Sequence, residues 1–267
     1  MKFPDKPADP IIVHPDIRRM LLTMRSFNEA ARALVLWTAL RGDLAVNSDD
    51  EKLRAATEDH MGLMTPIIKG VLTDRGFDNA VMAQQIYGGH GYIKEHGVEQ
   101  FVRDARIPMI YEGANGVQAL DLVGRKLPKD GGRALLAFYA EVQQFVKENS
   151  GDEAMQPFLA PLSAALAHLQ QATTWFMQNA PKRPDNAGAG ATDYMHLFGL
   201  VVLGLMWAQI AKAALAKKAT GVDGQRMDAK LTTGRFYMER VLPETATRLA
   251  RITAGADSVM AMPAEAF

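Results

Sequence analysis

The chain has no cysteine in its 267 residues. That excludes disulfide bridges and thiolate metal sites and fits a reducing compartment, so a cytoplasmic location is expected. It also has no surplus of charge. Lysine plus arginine and aspartate plus glutamate number 30 each, and without a basic run no face can neutralise a phosphate backbone, which argues against nucleic acid as a partner. No segment alternates apolar and polar residues as a half-buried strand does, and no internal repeat is present. The opening MKFPDKPADPIIVHP has prolines in place of the apolar core of a signal peptide, so it reads as an irregular lead-in.

What the chain does have is helical periodicity. At 48% hydrophobic and 22% charged residues it can bury one large core or two ordinary ones, and two are expected. Apolar residues from Ile17 to Thr38 recur at three- and four-residue spacing, predicting a helix from Pro15 to Gly42. The capping-box pattern Ser48-Asp49-Asp50-Glu51 predicts a second helix from Asp49 to about Gly70 that runs through Pro66. A third, capped by Thr73 or Asp74, stops at Gly88-Gly89. Short helices follow at Gly97–Arg103 and Gly116–Lys126. Pro128 to Gly132 has linker composition, which divides the chain into residues 1–127 and 128–267. Beyond it, helical patterns run over 133–149, 152–179, 192–220 and 228–252, with a loop at 181–190. The fold class expected is therefore all-α, two helical bundles with short antiparallel connections.

Tyr194 to Ala211 holds eighteen residues without a formal charge, the length of a membrane span. Its Gly199, Gly204, His196 and Gln209 point to a buried bundle helix, so no integral span is expected. His90 and His96 flank Glu95 at a spacing that does not place two imidazoles on one helical face, so no metal site is expected. Arg103-Asp104-Ala105-Arg106 reads as charges that hold a helix end to its neighbour.

Chemistry concentrates between Gln84 and Leu127. At its heart is Tyr111-Glu112-Gly113-Ala114-Asn115-Gly116, a carboxylate beside an aromatic ring, then flexible backbone that feeds a helix. A helix start presents unpaired N–H groups and partial positive charge, which suits a phosphate or an enolate oxygen. Taken alone, a glutamate before a glycine is most often a solvated charge, and the Gly88-Gly89-His90-Gly91 cluster a helix stop.

Together, QIYGGHGY at Gln85–Tyr92, RDARI at Arg103–Ile107 and YEG at Tyr111–Gly113, in this order and spacing, closely resemble the C-terminal helical domain of flavin-dependent acyl-CoA dehydrogenases. The resemblance covers Ile11 to Leu127. The helical extension looks like the extra domain of the larger bacterial branch that includes 3-methylthiopropanoyl-CoA dehydrogenases. It implies FAD as cofactor and α,β-dehydrogenation of an acyl-CoA to the trans-2-enoyl-CoA. Glu112 would then be the base that removes the α-proton. By the same resemblance Gln85, Ile86, Tyr87, Gly88 and Gly89 would meet the adenosine-diphosphate part of FAD across a subunit interface. Ala114, Asn115 and Gly116 would meet FAD at the helix start, and Tyr111 and Gly113 would touch substrate. The family commonly has threonine where this chain has Ala114. The family's N-terminal helical and middle β-domains have no counterpart here, so this chain alone would be incomplete and inactive. An electron-transfer flavoprotein or similar acceptor and a homo-oligomer, dimer or tetramer, are the implied partners. An acyl-CoA oxidase-type enzyme and a non-catalytic helical interaction module are the alternatives.

Overall fold

A computed structural model describes residues 2–267 and contains no strand among them. Ten α-helices follow one another: α1 (Pro15–Asn47), α2 (Glu51–Ile86), α3 (Val98–Arg106), α4 (Asn115–Asp121), α5 (Arg133–Asn149), α6 (Gln156–Asn179), α7 (Asp185–Ala219), α8 (Gly224–Phe236), α9 (Glu244–Thr253) and α10 (Asp257–Met260). The all-α reading holds. The boundaries differ in instructive ways.

The second and third expected helices are one element. Asp50 rather than Asp49 caps α2, its Oδ1 accepting from the N–H of Lys52 at 2.9 Å. The Thr73 hydroxyl donates to the carbonyl of Lys69 at 2.7 Å, so it back-bonds inside a continuing helix instead of capping a new one. Gly70, expected as a stop, is buried in mid-helix, where a Cβ would collide with the Met195 thioether. It is small because another helix passes there. The same reason extends α7 upstream into the predicted loop. Gly190 lies inside α7, and a Cβ on it would come within 2.8 Å of the Phe176 ring. The expected 228–252 helix is split: α8 ends in a π-turn at Tyr237–Val241 and α9 begins after Pro243, which has no N–H to continue the ladder.

α7 is the hub, in contact with α1, α2, α4, α6, α8 and α9. Every residue from Tyr194 to Ala208 is buried, with Trp207 and Tyr194 fully enclosed. The helix is long and apolar enough to cross a bilayer, yet 78% of its most apolar window is buried inside the bundle. A helix apolar all round needs such a coat of other helices.

Because α7 serves both halves, the two bundles share one core. The buried cluster runs from Ala30 through Ile67 and Leu122 to Phe198, Trp207 and Ile252. The Trp207 indole N–H, in the second bundle, donates to the Ser26 carbonyl of α1 at 2.9 Å. Ion pairs stitch the seam: Lys230–Glu29 at 2.7 Å, Arg75–Glu244 at 2.7 Å, Arg133–Asp59 at 2.6 Å and Arg41–Glu141 at 2.5 Å. Between α4 and α5 the backbone is left-handed at Asp130, Gly131 and Gly132.

These seam carboxylates carry a pH dependence. Burial would push the Glu29 and Glu244 carboxyls up, but their lysine and arginine partners outweigh it and hold both below the usual 4.5. The hydrogen bond from Arg133 likewise lowers Asp59 from 3.8. His60 is also lowered, from 6.5 to about 3, because burial disfavours its charged form and the Arg41 charge adds to that. Its ring stands edge-on to Trp37 at 4.3 Å, and Arg41 lies over the same indole at 4.3 Å. The unfolded chain therefore binds protons that the folded one refuses. Stability should be lost progressively below pH 6.5 as unfolded His60 protonates, and faster below about 4.5 as pH approaches the lowered folded values of the carboxylates. Urea titrations from pH 7.5 to 3.5 check this. His60→Gln should flatten the slope between 6.5 and 4.5, and an unchanged slope would show that His60 does not carry it.

Candidate functional site

Of the three sequence motifs, the one at Gln85–Tyr92 lies at the C-terminus of α2 and the loop that carries Tyr111–Gly113 is anchored on α2 near Lys69–Asp74. At the C-terminus, Gln85 and Ile86 finish the helix, Tyr87 caps it, and Gly88–Tyr92 folds back as a 3₁₀ turn. Gly88 has φ of +59°, and neither Gly88 nor Gly89 has an atom within 4 Å of where a Cβ would stand. The backbone there is open on that side. Gly91 is the opposite case. A Cβ on it would come within 2.6 Å of the Gln84 carbonyl, and the Gln84 side chain donates to the Gly91 carbonyl at 3.1 Å. The glycines thus divide the labour: two leave a surface bare and one lets the turn close.

His90 and His96 meet ring to ring at 5.3 Å, with His96 Nδ1 at 2.7 Å from the His90 carbonyl. No cluster of three or more metal-ligating side chains occurs among the described residues. Arg106 lies over the Phe77 ring of α2 at 5.9 Å, and Asp104 accepts from Gln100 at 2.7 Å.

Glu112 stands at a turn with two successive residues in left-handed backbone, φ of +51° at Glu112 and +81° at Gly113. Such a conformation costs a non-glycine residue on the order of 1 kcal/mol and persists only where the surroundings over-determine it. The Glu112 side chain is exposed, as is Tyr111 beside it. Next come Ala114, the N-cap of α4, and Gly116 in its first turn, which precede the first intrahelical bond, from the Val117 N–H to the Ala114 carbonyl at 2.7 Å. Gln118 folds back to donate to the Gly113 carbonyl at 3.2 Å.

What over-determines the turn is Asn115. Its side chain is buried under α2 and fully engaged there. Lys69 Nζ donates to its Oδ1 at 2.8 Å, and its amide N–H groups face the Gly70 carbonyl at 3.1 Å, Thr73 Oγ1 at 2.9 Å and Asp74 Oδ1 at 2.6 Å. Asn115 therefore stands apart from the other residues expected at the cofactor: its side chain is an anchor against α2. Asp74 is held in turn by His196 of α7, whose Nε2–H donates to Asp74 Oδ2 at 2.8 Å. Burial would push the Asp74 carboxyl up, but the His196 and Asn115 hydrogen bonds outweigh it and hold it below its usual 3.8.

This supporting set, Lys69, Thr73, Asp74 and His196, is absent from the sequence-based expectations. Thr73 and Asp74 look like caps in sequence. The legible signal was His196 itself, a polar ring in an uncharged run, since a buried polar group demands a partner.

Residues 5–127 match the family described as "Acyl-CoA dehydrogenase, C-terminal domain", and residues 138–263 match "Acetyl-CoA dehydrogenase C-terminal like". The chain is 38% identical to 3-methylmercaptopropionyl-CoA dehydrogenase of Ruegeria pomeroyi over 95% of its own length and 43% of that protein. It is 32% identical to the broad-specificity linear acyl-CoA dehydrogenase FadE5 of Mycobacterium tuberculosis, over 90% of this chain and 41% of that one. The chain thus spans less than half the length of the curated relatives it matches. Among solved structures, Caenorhabditis elegans ACDH-11 in complex with C11-CoA superposes with a TM-score of 0.65 at 19% identity, covering 84% of this chain and 36% of that one. Acyl-CoA oxidase 3 of Yarrowia lipolytica follows at 0.60 and 16% identity, over 94% and 39%. At these identities the structural likeness speaks for the fold.

Proposed function

Since the chain belongs to the acyl-CoA dehydrogenase family, whose C-terminal helical domains it carries, we propose that it supplies the catalytic base and part of the cofactor site of an enzyme that dehydrogenates an acyl-CoA thioester to the trans-2-enoyl-CoA. The observation that carries this reading is the strained turn at Glu112, which holds an exposed carboxylate clear of its own helices on a loop anchored from below by Asn115. A solvated surface glutamate needs no such device.

The thioester carbonyl acidifies the α-carbon, and the Glu112 carboxylate takes the α-proton. A carboxylate enclosed with substrate away from water is a stronger base, better matched to that proton. As the thioester oxygen gains enolate character, the backbone N–H of Glu112 donates to it, a preorganised dipole that needs no reorganisation during the reaction. Tyr111 and Gly113 flank the substrate on either side of the base.

FAD fits the residues present: the bare backbone at Gly88-Gly89 admits the close approach a diphosphate needs, and the free N–H groups at the start of α4 favour an electron-rich group. When bound, it supplies the hydride acceptor for the β-carbon. Gln85, Ile86, Tyr87, Gly88 and Gly89 would hold its adenosine-diphosphate part, and Ala114, Gly116 and the Asn115 backbone its other contact with this chain. The exposed Tyr92 and Phe101, 82% and 69% accessible, are surface for covering by other subunits or domains, in keeping with a dimer or tetramer. An electron-transfer flavoprotein would reoxidise the cofactor in the cytoplasm. Alone, this chain offers only one side of the site and is expected to be inactive.

The test is an anaerobic titration of the flavin-loaded enzyme with acyl-CoAs of several chain lengths. Bleaching of the flavin band by at least one of them, and turnover with an electron-transfer acceptor without oxygen, are expected. A flavin left oxidised by all of them would overturn the reading, and turnover that requires oxygen would make the enzyme an oxidase instead.

A further inference from the structure

The path from α7 to Glu112 is short and continuous. Asn115, three residues after Glu112, gives the Tyr111–Gly116 loop its one buried side chain. It ends on Asp74 Oδ1, and the other oxygen of the same carboxylate accepts from His196 Nε2 at 2.8 Å. Two hydrogen bonds therefore join the central helix of the second bundle to the turn that aims the base. His196 is 6% exposed and its Nδ1 is buried without a partner, so the ring's single polar engagement is with Asp74. Leaving Nδ1 unpaired costs free energy, for a ring that an apolar residue could replace as core filler.

The helices are clamped where this contact is made. On one side of His196, Met195 lies against Gly70; one turn further along α7, a Cβ on Gly199 would come within 2.7 Å of a Val71 methyl. The Gly70 carbonyl is itself an acceptor for Asn115. Packing thus fixes the α2–α7 crossing at the level of Asn115, and the ring of His196 lies in it. A turn with two positive φ values relaxes toward ordinary backbone unless its far side is pinned, and the pin is one polar side chain whose partner on α2 depends on α7.

We propose that His196 is a positioning residue for Glu112: by holding Asp74 it fixes Asn115, and through Asn115 the left-handed turn, so that the second bundle is an integral part of the active-site geometry. The inference rests on Glu112 being the base. His196 touches no substrate, and its effect is entirely on where the carboxylate stands.

The experiment compares His196→Leu and His196→Gln in the flavin-loaded enzyme, by hydrogen exchange of the 110–119 segment and by steady-state kinetics. With the leucine variant, exchange in that segment should rise tenfold or more on the scale of local opening, about 1.4 kcal/mol. The kcat should fall by up to about 100-fold, the cost of a misplaced catalytic group, with KM changed far less. Glutamine, which offers a side-chain N–H to Asp74, should recover most of both. If the leucine variant fails to fold, Asp74→Asn, which keeps the shape but replaces one of the two acceptor oxygens with an N–H donor and so breaks the Asn115–Asp74–His196 chain at one link, should loosen the same segment. A folded leucine variant whose loop exchange matches the parent would overturn the proposal, as would loosening that spreads evenly over α6 and α9. Should Glu112→Gln retain activity while His196→Leu still loosens the loop, the reading of Glu112 as base fails and the strut itself stands.

Discussion

Replacing Glu112 with glutamine in the flavin-loaded enzyme is expected to lower turnover by about three orders of magnitude while leaving flavin bound and the fold intact. The expectation combines chemistry and placement. Glutamine keeps the shape and polarity of the side chain but cannot accept the α-proton, and a positioned general base accounts for roughly 10²–10⁴ in rate. Placement separates this loss from a structural one. Glu112 is exposed and its φ of +51° is held by Asn115 beyond it, so the substitution removes no buried contact and stability should move by less than about 0.5 kcal/mol. Stopped-flow measurement of flavin reduction checks the chemical step directly, and equilibrium titration of the acyl-CoA separates binding from rate. A variant that keeps more than about a tenth of the parent's reduction rate would remove Glu112 from the role of base, since no general base contributes so little.

The largest effect on stability is expected at Trp207. Its ring is fully buried, it lies against Gly234 closely enough that a Cβ there would come within 2.8 Å, and its N–H satisfies the Ser26 carbonyl across the seam. Trp207→Ala removes a large apolar surface, leaves a cavity and unpairs that carbonyl from the indole, for a cost of about 3–5 kcal/mol. In a chain of this length that amounts to a fall in Tm of roughly 10 °C. Trp207→Phe keeps most of the volume and should lose about 1–2 kcal/mol, mainly the hydrogen bond. The informative feature is where the loss is felt. Because α7 belongs to one core with α1 and α2, both halves should melt together in one transition, and exchange in α1 should rise as much as in α8. Two resolved transitions in calorimetry, with only the second displaced, would show that the bundles unfold independently and that the seam contributes little.

Sequence alone determined a good deal here. The 3.6-residue period of apolar positions and the lack of any alternating run leave no route to a sheet, so the all-α class was fixed locally. A helix start beside Ser48-Asp49-Asp50, the glycine-rich end of α2 and, to within a residue, the start of α4 were legible because each rests on backbone chemistry within a few residues, although the pattern placed the first start at Asp49 and the cap is Asp50. Glu112 with its neighbours was singled out as the candidate by motif order, which is also a one-dimensional property.

Tertiary structure decided the rest, for one physical reason. A glycine can read as a break in sequence, as Gly70 and Gly190 do, but inside a crowded bundle it is the residue that lets two helices touch, as both of these and Gly199 do. Once α7 passes at those points, α2 has no reason to stop at Gly70, and α7 itself gains the turns read as loop. The same crossing brings His196 to Asp74, 122 positions apart in the chain, and so couples the second bundle to the turn at Glu112. No local pattern encodes a partner at that distance; only the packing that buries both groups makes each the necessary answer to the other.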